Sequence, residues 1–137
     1  MALEVKRVEY YNVGVSDDIA AGTRMLATIA GAGADLLAYK AIRLRPGRTV
    51  FTLFPEDGPI LREVATRAGL ELEGPSSAVL IRGDEEQGAL SRLYEKLSRA
   101  GIPVQEACGI AHVKSGYGVI LYVRREDVER ALAALTE

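Results

Sequence analysis

The sequence predicts an α+β protein made of two consecutive β-α-β-β-α units, with antiparallel sheets covered by helices on one face. Two pairs of strand-like stretches flank turn-forming residues, Arg45-Pro46-Gly47-Arg48 and Lys114-Ser115-Gly116-Tyr117-Gly118, where proline and glycine supply the backbone angles of a tight reversal. Apolar residues elsewhere recur at helical spacing behind capping residues. The order of elements in the first half then recurs in the second.

Taken in order, Leu3 to Val15 is β-branched and aromatic with loose alternation, and is long for one strand. Ser16-Asp17-Asp18 offers a helix N-cap, Ile19, Met25, Leu26 and Ile29 follow near helical spacing, and Gly31 and Gly33 end the run. Leu36–Leu44 and Thr49–Phe54 form the first hairpin. Pro55 to Pro59 starts a second helix with apolar face Ile60, Leu61, Val64, Ala65 and Ala68, closed by Gly69. Leu70-Glu71-Leu72-Glu73, before Gly74-Pro75, supplies a fourth strand.

The second copy opens with an apolar strand, Ala78–Ile81. Gly83-Asp84-Glu85-Glu86 caps a helix carrying the stripe Leu90, Leu93, Tyr94 and Leu97, closed by Ala100-Gly101. Val104–Val113 and Val119–Val123 make the second hairpin, and Arg125-Glu126-Asp127 caps a helix carrying Val128, Ala131, Leu132 and Leu135. Ala32-Gly33-Ala34 stands where Ala100-Gly101-Ile102 stands, and Pro55-Glu56-Asp57 where Arg125-Glu126-Asp127 stands. The expected units are 1–74 and 75–137, each of the ferredoxin-like kind. The second lacks an evident fourth strand; Glu4–Arg7 of the overlong first strand, or a strand from another chain, is expected to fill that open edge.

Composition narrows the functions. Of 137 residues, 48% are apolar and 26% charged, enough for a packed core, and the formal charge of −2 gives no general attraction for a phosphate backbone. One cysteine, Cys108, and one histidine, His112, leave neither an intrachain disulfide nor a soft metal cage. No signal-peptide core or membrane span is evident, so a cytoplasmic protein without membrane contact, cofactor or metal is expected.

Cys108 and His112 lie four residues apart in one strand, roughly 13 Å by strand rise, too far for a thiol–imidazole pair, so no catalytic residue is assigned. Gly116-Tyr117-Gly118-Val119-Ile120-Leu121-Tyr122 is similar to the third strand of an RNA-recognition motif, but Ser115 and Val119 stand where that signature wants a basic and an aromatic residue, which argues against nucleic-acid binding. Asp17, Asp18, Asp84, Glu85 and Glu86 sit at two corresponding strand-to-helix corners; helix capping accounts for them, and corner loops on a rigid scaffold also suit ligand binding. Gly22 and Gly88 fall near the helix starts, where a missing side chain lets a ligand approach backbone amides.

Read whole, Asp84-Glu85-Glu86-Gln87-Gly88-Ala89-Leu90 resembles the Asp-x-x-Pro-Gly-x-Leu loop of ACT domains, with Gln87 in place of proline; Ala21-Gly22-Thr23 takes the Pro-Gly position in the first copy. Together with Arg99-Ala100-Gly101-Ile102-Pro103-Val104, the Gly116 hairpin and Arg125-Glu126-Asp127, the chain resembles a stand-alone tandem ACT-domain protein. That resemblance implies a non-catalytic regulatory protein that binds an amino acid or similar effector, as a homodimer. The contacts expected are Asp17, Asp18, Gly22, Thr23, Asp84, Glu85, Gly88 and Ala89: helix-start amides for a carboxylate, acidic side chains for an ammonium group. The alternatives are an adaptor that pairs through its sheet edge, or a small enzyme using Arg24, Arg43, Arg45 or Arg48 to stabilise an anion.

Overall fold

The computed structural model describes residues 3–16, 19–84, 88–112 and 115–137. The elements are β1 (Leu3–Val15), α1 (Ile19–Gly31), β2 (Leu36–Arg45), β3 (Arg48–Pro55), α2 (Gly58–Ala68), β4 (Glu73–Gly83), α3 (Ala89–Arg99), β5 (Glu106–His112), β6 (Gly116–Tyr122), a 3-10 turn (Arg125–Asp127) and α4 (Val128–Thr136). The six antiparallel strands hydrogen-bond in the order β2-β3-β1-β4-β6-β5. The fold is therefore the α+β class that the sequence predicts, with the β-α-β-β-α-β pattern present twice.

The chain divides into two compact units, Glu9–Ser76 and a second that combines Met1–Val8 with Ser77–Glu137. The strand assignment explains the division. In the Glu9–Ser76 unit, β1 pairs with β3 from Tyr11↔Leu53 to Val15↔Thr49, β2 pairs with β3, and the first residues of β4 supply the fourth strand. In the other unit, β4 pairs with β6 from Val79↔Leu121 to Gly83↔Tyr117, β5 pairs with β6, and the start of β1 takes the fourth place beside β4. Glu4 faces Arg82 at 3.9 Å and Arg7 donates to Ser77 Oγ at 3.0 Å, which ties that start to β4. Of the two fillers expected for the open edge, the chain's own N-terminal strand is the one found.

The fourth strand of the first copy begins at Glu73, so the strand expected at Leu70–Glu73 is displaced towards the C-terminus. Leu70 and Leu72 precede it and pack their side chains against the core formed by Tyr11, Val13, Met25, Ile29, Leu53, Leu61 and Val64. Gly74-Pro75, read from sequence as a break, lies inside β4 with a cis peptide bond. At Gly74, φ is +132° and an added Cβ would come within 2.9 Å of the Tyr10 carbonyl oxygen, so the close approach of the β1 backbone requires glycine there.

Helix boundaries follow the cap chemistry in part. Asp57 caps α2, its Oδ1 accepting from the Ile60 N–H at 3.2 Å, and Gly69 ends the helix in the left-handed conformation. Only Leu61, Val64 and Ala65 of the expected α2 face are buried; Ile60 and Ala68 are exposed at its margins. The α1 and α3 ends repeat one device: Ala34 N–H bonds the Ile29 carbonyl at 3.1 Å, and Ile102 N–H bonds the Leu97 carbonyl at 3.0 Å, each after a left-handed glycine. That correspondence follows the alignment of Ala32-Gly33-Ala34 with Ala100-Gly101-Ile102.

In the second unit the core gathers Val79, Ile81, Leu93, Leu97, Ile102, Val119, Leu121, Val128, Ala131 and Leu135, with Leu3, Val5 and Leu132 packed against it. Asp127 precedes α4 but makes no side-chain cap bond. Its buried carboxylate accepts instead from Arg124 Nε at 2.8 Å and Arg130 Nη1 at 2.7 Å, and Arg130 Nη2 donates to the Ala100 carbonyl at 2.6 Å, tying the start of α4 to the end of α3. The hydrogen bond that Arg124 donates to Asp127, and then the Asp127 charge, raise the Arg124 pKa above its ordinary value.

Candidate functional site

The sequence stripe on α3 separates into two roles. Leu93 and Leu97 are 4% and 1% exposed and face the core, while Leu90 and Tyr94 are 55% and 40% exposed, contrary to a stripe packed wholly on the sheet. The reason is geometric: β5, at the edge of the strand order, lies beyond the cover of the helices. Residues 106–111 of β5 are all exposed, with Ile110 at 81%.

Leu90 and Tyr94 overhang this uncovered strand and border a cavity of about 530 Å³. Gly88 and Ala89 form its helix-side rim, residues 107–111 of β5 one wall, and Tyr117, Gly118 and Val119 of β6 another. This size suits a small-molecule ligand. Among the described residues that line it, none carries a formal charge, and the polar side chains are Tyr94, Tyr117 and Cys108.

One wall is fixed by glycine. A Cβ at Gly83 would fall 2.7 Å from Tyr117 Oη and 2.8 Å from Cζ, so the phenol ring lies directly over the bare Gly83 backbone at the end of β4. Gly116, at φ +88°, brings its Cα close to the same residue; an added Cβ would stand 2.1 Å from the Gly83 carbonyl oxygen. These contacts hold Tyr117 beside the corner from which the β4–α3 connection departs.

At that corner Asp84 is exposed and has a partner, and Gly88 adopts φ +81°, the left-handed conformation, as the residue preceding α3. The helix therefore begins at Ala89, later than a cap at Gly83–Glu86 implies. The Arg92 N–H bonds the Gly88 carbonyl at 3.1 Å, so the Ala89 and Leu90 amides precede that bond in the first turn, where helix N–H groups are open to an acceptor.

Among the residues expected to bind ligand, the structure brings Gly88 and Ala89 to the cavity, with Asp84 one residue beyond Gly83. Gly22 and Thr23 belong to the other unit, within α1. A Cβ at Gly22 would lie 3.0 Å from Phe51 Cζ, so the missing side chain there admits a phenyl ring. Asp17, Asp18 and Glu85 lie outside the described residues. Sequence reasoning missed Leu90, Tyr94, Ile110 and Tyr117 as site residues, because apolar periodicity marks a buried face without telling where the opposing sheet ends.

No family model matches the chain, and no curated protein matches it. Solved structures do. Protein BT0572 from Bacteroides thetaiotaomicron superposes with a TM-score of 0.81 at 13% identity, over 96% of this chain and 88% of that one. The ligand-free regulatory subunit of aspartate kinase from Thermus thermophilus matches with a TM-score of 0.66 at 15% identity, over 98% and 93%. A C-terminal regulatory domain assigned to aspartate kinase from Porphyromonas gingivalis matches with a TM-score of 0.59 at 15% identity, over 98% and 95%. Over nearly its whole length, the chain has the tandem ACT fold of aspartate kinase regulatory subunits.

Proposed function

We propose that this protein is a non-catalytic regulatory module that binds an amino acid in the cavity between α3, β5 and β6. The observation that carries this reading is the coincidence of that cavity with Gly88 and Ala89, two of the residues singled out by the ACT-like loop. The likeness to aspartate kinase regulatory subunits supports it at the level of fold.

The chemistry of the rim suits a zwitterion. The Ala89 and Leu90 amides, at the positive end of the α3 dipole, receive the carboxylate; Asp84 supplies negative charge for the ammonium group; the side chain enters the cavity. A purely anionic ligand meets like charge at Asp84. Thermal-shift screening of the amino acids, followed by calorimetry, tests this directly, since a ligand of the folded state raises stability with its concentration over Kd. The amino acid is expected to bind more tightly than its deaminated analogue, and Asp84→Asn to weaken the amino acid selectively. Failure to bind any amino acid at millimolar concentration refutes the reading.

The exposed β5 edge supports a homodimer as the working form. Antiparallel self-pairing centred on Gly109 sets Glu106 at the register position of His112 and matches the small residues Ala107 and Ala111, with no like charges opposed. The other edge strand, β2, carries Lys40, Arg43 and Arg45, a pattern that guards against pairing. Light scattering should give twice the mass of one chain; a mass that stays at 14.7 kDa at all concentrations refutes the dimer.

A further inference from the structure

The two units differ at the one place where an effector would sit. Strand registers establish corresponding positions: Val13↔Phe51 with Ala41↔Phe51 in one unit, Ile81↔Val119 with Gly109↔Val119 in the other. The buried pairs Met25/Ile29 of α1 and Leu93/Leu97 of α3 extend the correspondence to the helices. Three residues before Met25 stands Gly22, and three before Leu93 stands Leu90, so Gly22 corresponds to Leu90 and not, as the loop resemblance implies, to Gly88. A glycine beneath a phenylalanine in one unit thus becomes a leucine beside a valine in the other.

The exchange has a steric consequence. The Phe51 ring reaches the Gly22 backbone, its Cζ 3.0 Å from where a Cβ would be, and fills the space between helix and sheet. In the second unit Val119 is too short to do this, and Leu90 stands away from the core at the cavity mouth. Space that a phenyl ring occupies in the first unit is open in the second. The described residues that line it are uncharged, so an apolar ligand side chain is favoured there in proportion to the area it buries.

We infer that each chain holds one effector site, in the unit containing Ser77–Glu137, and that it takes an amino acid with an aliphatic or aromatic side chain, the corresponding place in the Glu9–Ser76 unit being plugged by Phe51 against Gly22. This inference rests on the effector reading above and specifies its stoichiometry and ligand class.

Titration calorimetry of the full chain with leucine, isoleucine and phenylalanine, against alanine, aspartate and lysine, tests it. One ligand per chain is expected, with the large apolar amino acids at least about tenfold tighter than alanine and than either charged one. The double variant Leu90→Gly/Val119→Phe transplants the Gly22/Phe51 pair and should abolish binding. Leu90→Lys, at an exposed helix position that tolerates lysine, should weaken leucine at least about tenfold while leaving the thermal transition in place, and remains informative if the double variant does not fold. Two ligands per chain, preference for aspartate or lysine, or leucine binding unchanged in Leu90→Lys overturns this assignment while leaving the effector reading intact. Absence of all amino-acid binding overturns both.

Discussion

Leu93→Ala and Leu90→Ala, three residues apart on α3, should separate stability from binding. Leu93 is 4% exposed within the second core, so truncation to alanine removes three carbons from the interior, worth about 2.4 kcal/mol at roughly 0.8 kcal/mol per methylene. A cavity that its neighbours only partly close adds about 1 to 2 kcal/mol, for an expected loss of about 3.4 to 4.4 kcal/mol. Leu90 is 55% exposed, so less than half of the same transfer term is at stake, about 1 kcal/mol; no closed cavity forms, and the better helix propensity of alanine offsets part of the loss. Urea denaturation of the two variants at constant m-value measures the difference, expected at 2 kcal/mol or more. The order of ligand affinities should reverse, with Leu90→Ala binding an apolar amino acid more weakly than the stabler fold suggests and Leu93→Ala binding normally once folded. Equal destabilisation by both substitutions would refute the placement of α3 over the sheet.

Three further substitutions probe single features. Asp57→Ala removes the acceptor for the Ile60 N–H and should cost about 0.5 to 2 kcal/mol, whereas Asp57→Asn, also a good cap, should cost much less; denaturant midpoints compare them. Gly116→Ala places a methyl on the Gly83 carbonyl oxygen at a positive φ, and should lower the thermal midpoint far more than Gly47→Ala, which shares a positive φ but meets nothing within 4 Å. Gly83→Ala should push the Tyr117 ring off its seat and alter ligand affinity, with tyrosine fluorescence and calorimetry as readouts.

How far the sequence discloses the molecule depends on whether a feature is local. The Arg45–Arg48 turn, the start of α2 within Pro55–Pro59 and the Leu93/Leu97 pair are legible because each rests on neighbouring residues: turn chemistry, a proline in the first helical turn, a single turn of helix. Gly88 and Ala89 are legible too, through the ACT-like loop Asp84–Leu90. The exposure of Ile110 and Leu90 depends on β5 being an edge strand outside the helix layer, a property of strand order rather than of local pattern. Gly74-Pro75 misleads for a related reason. Its composition is that of a break, yet the β1 backbone lies close enough to carry a strand through it. Likewise Asp127 has the position of a cap, but two arginines, one on either side in sequence, claim its carboxylate.

The two long strands, β1 and β4, each serve as first strand of one unit and last strand of the other, and this sets an order of events during synthesis. Residues 3–8 leave the ribosome well before their partners, which include Ser77 and, through Arg7, Glu129, 122 positions further along. The Glu9–Ser76 unit has all its strands once β4 has begun, and can close while the chain is still growing. The other waits until α4 has been made, holding an early strand with an unpaired edge through that interval. Severing the chain at Gly74-Pro75, where the repeat divides by eye, would therefore not release two independent halves: the C-terminal fragment would lack its fourth strand, and the N-terminal fragment would carry it as a surplus.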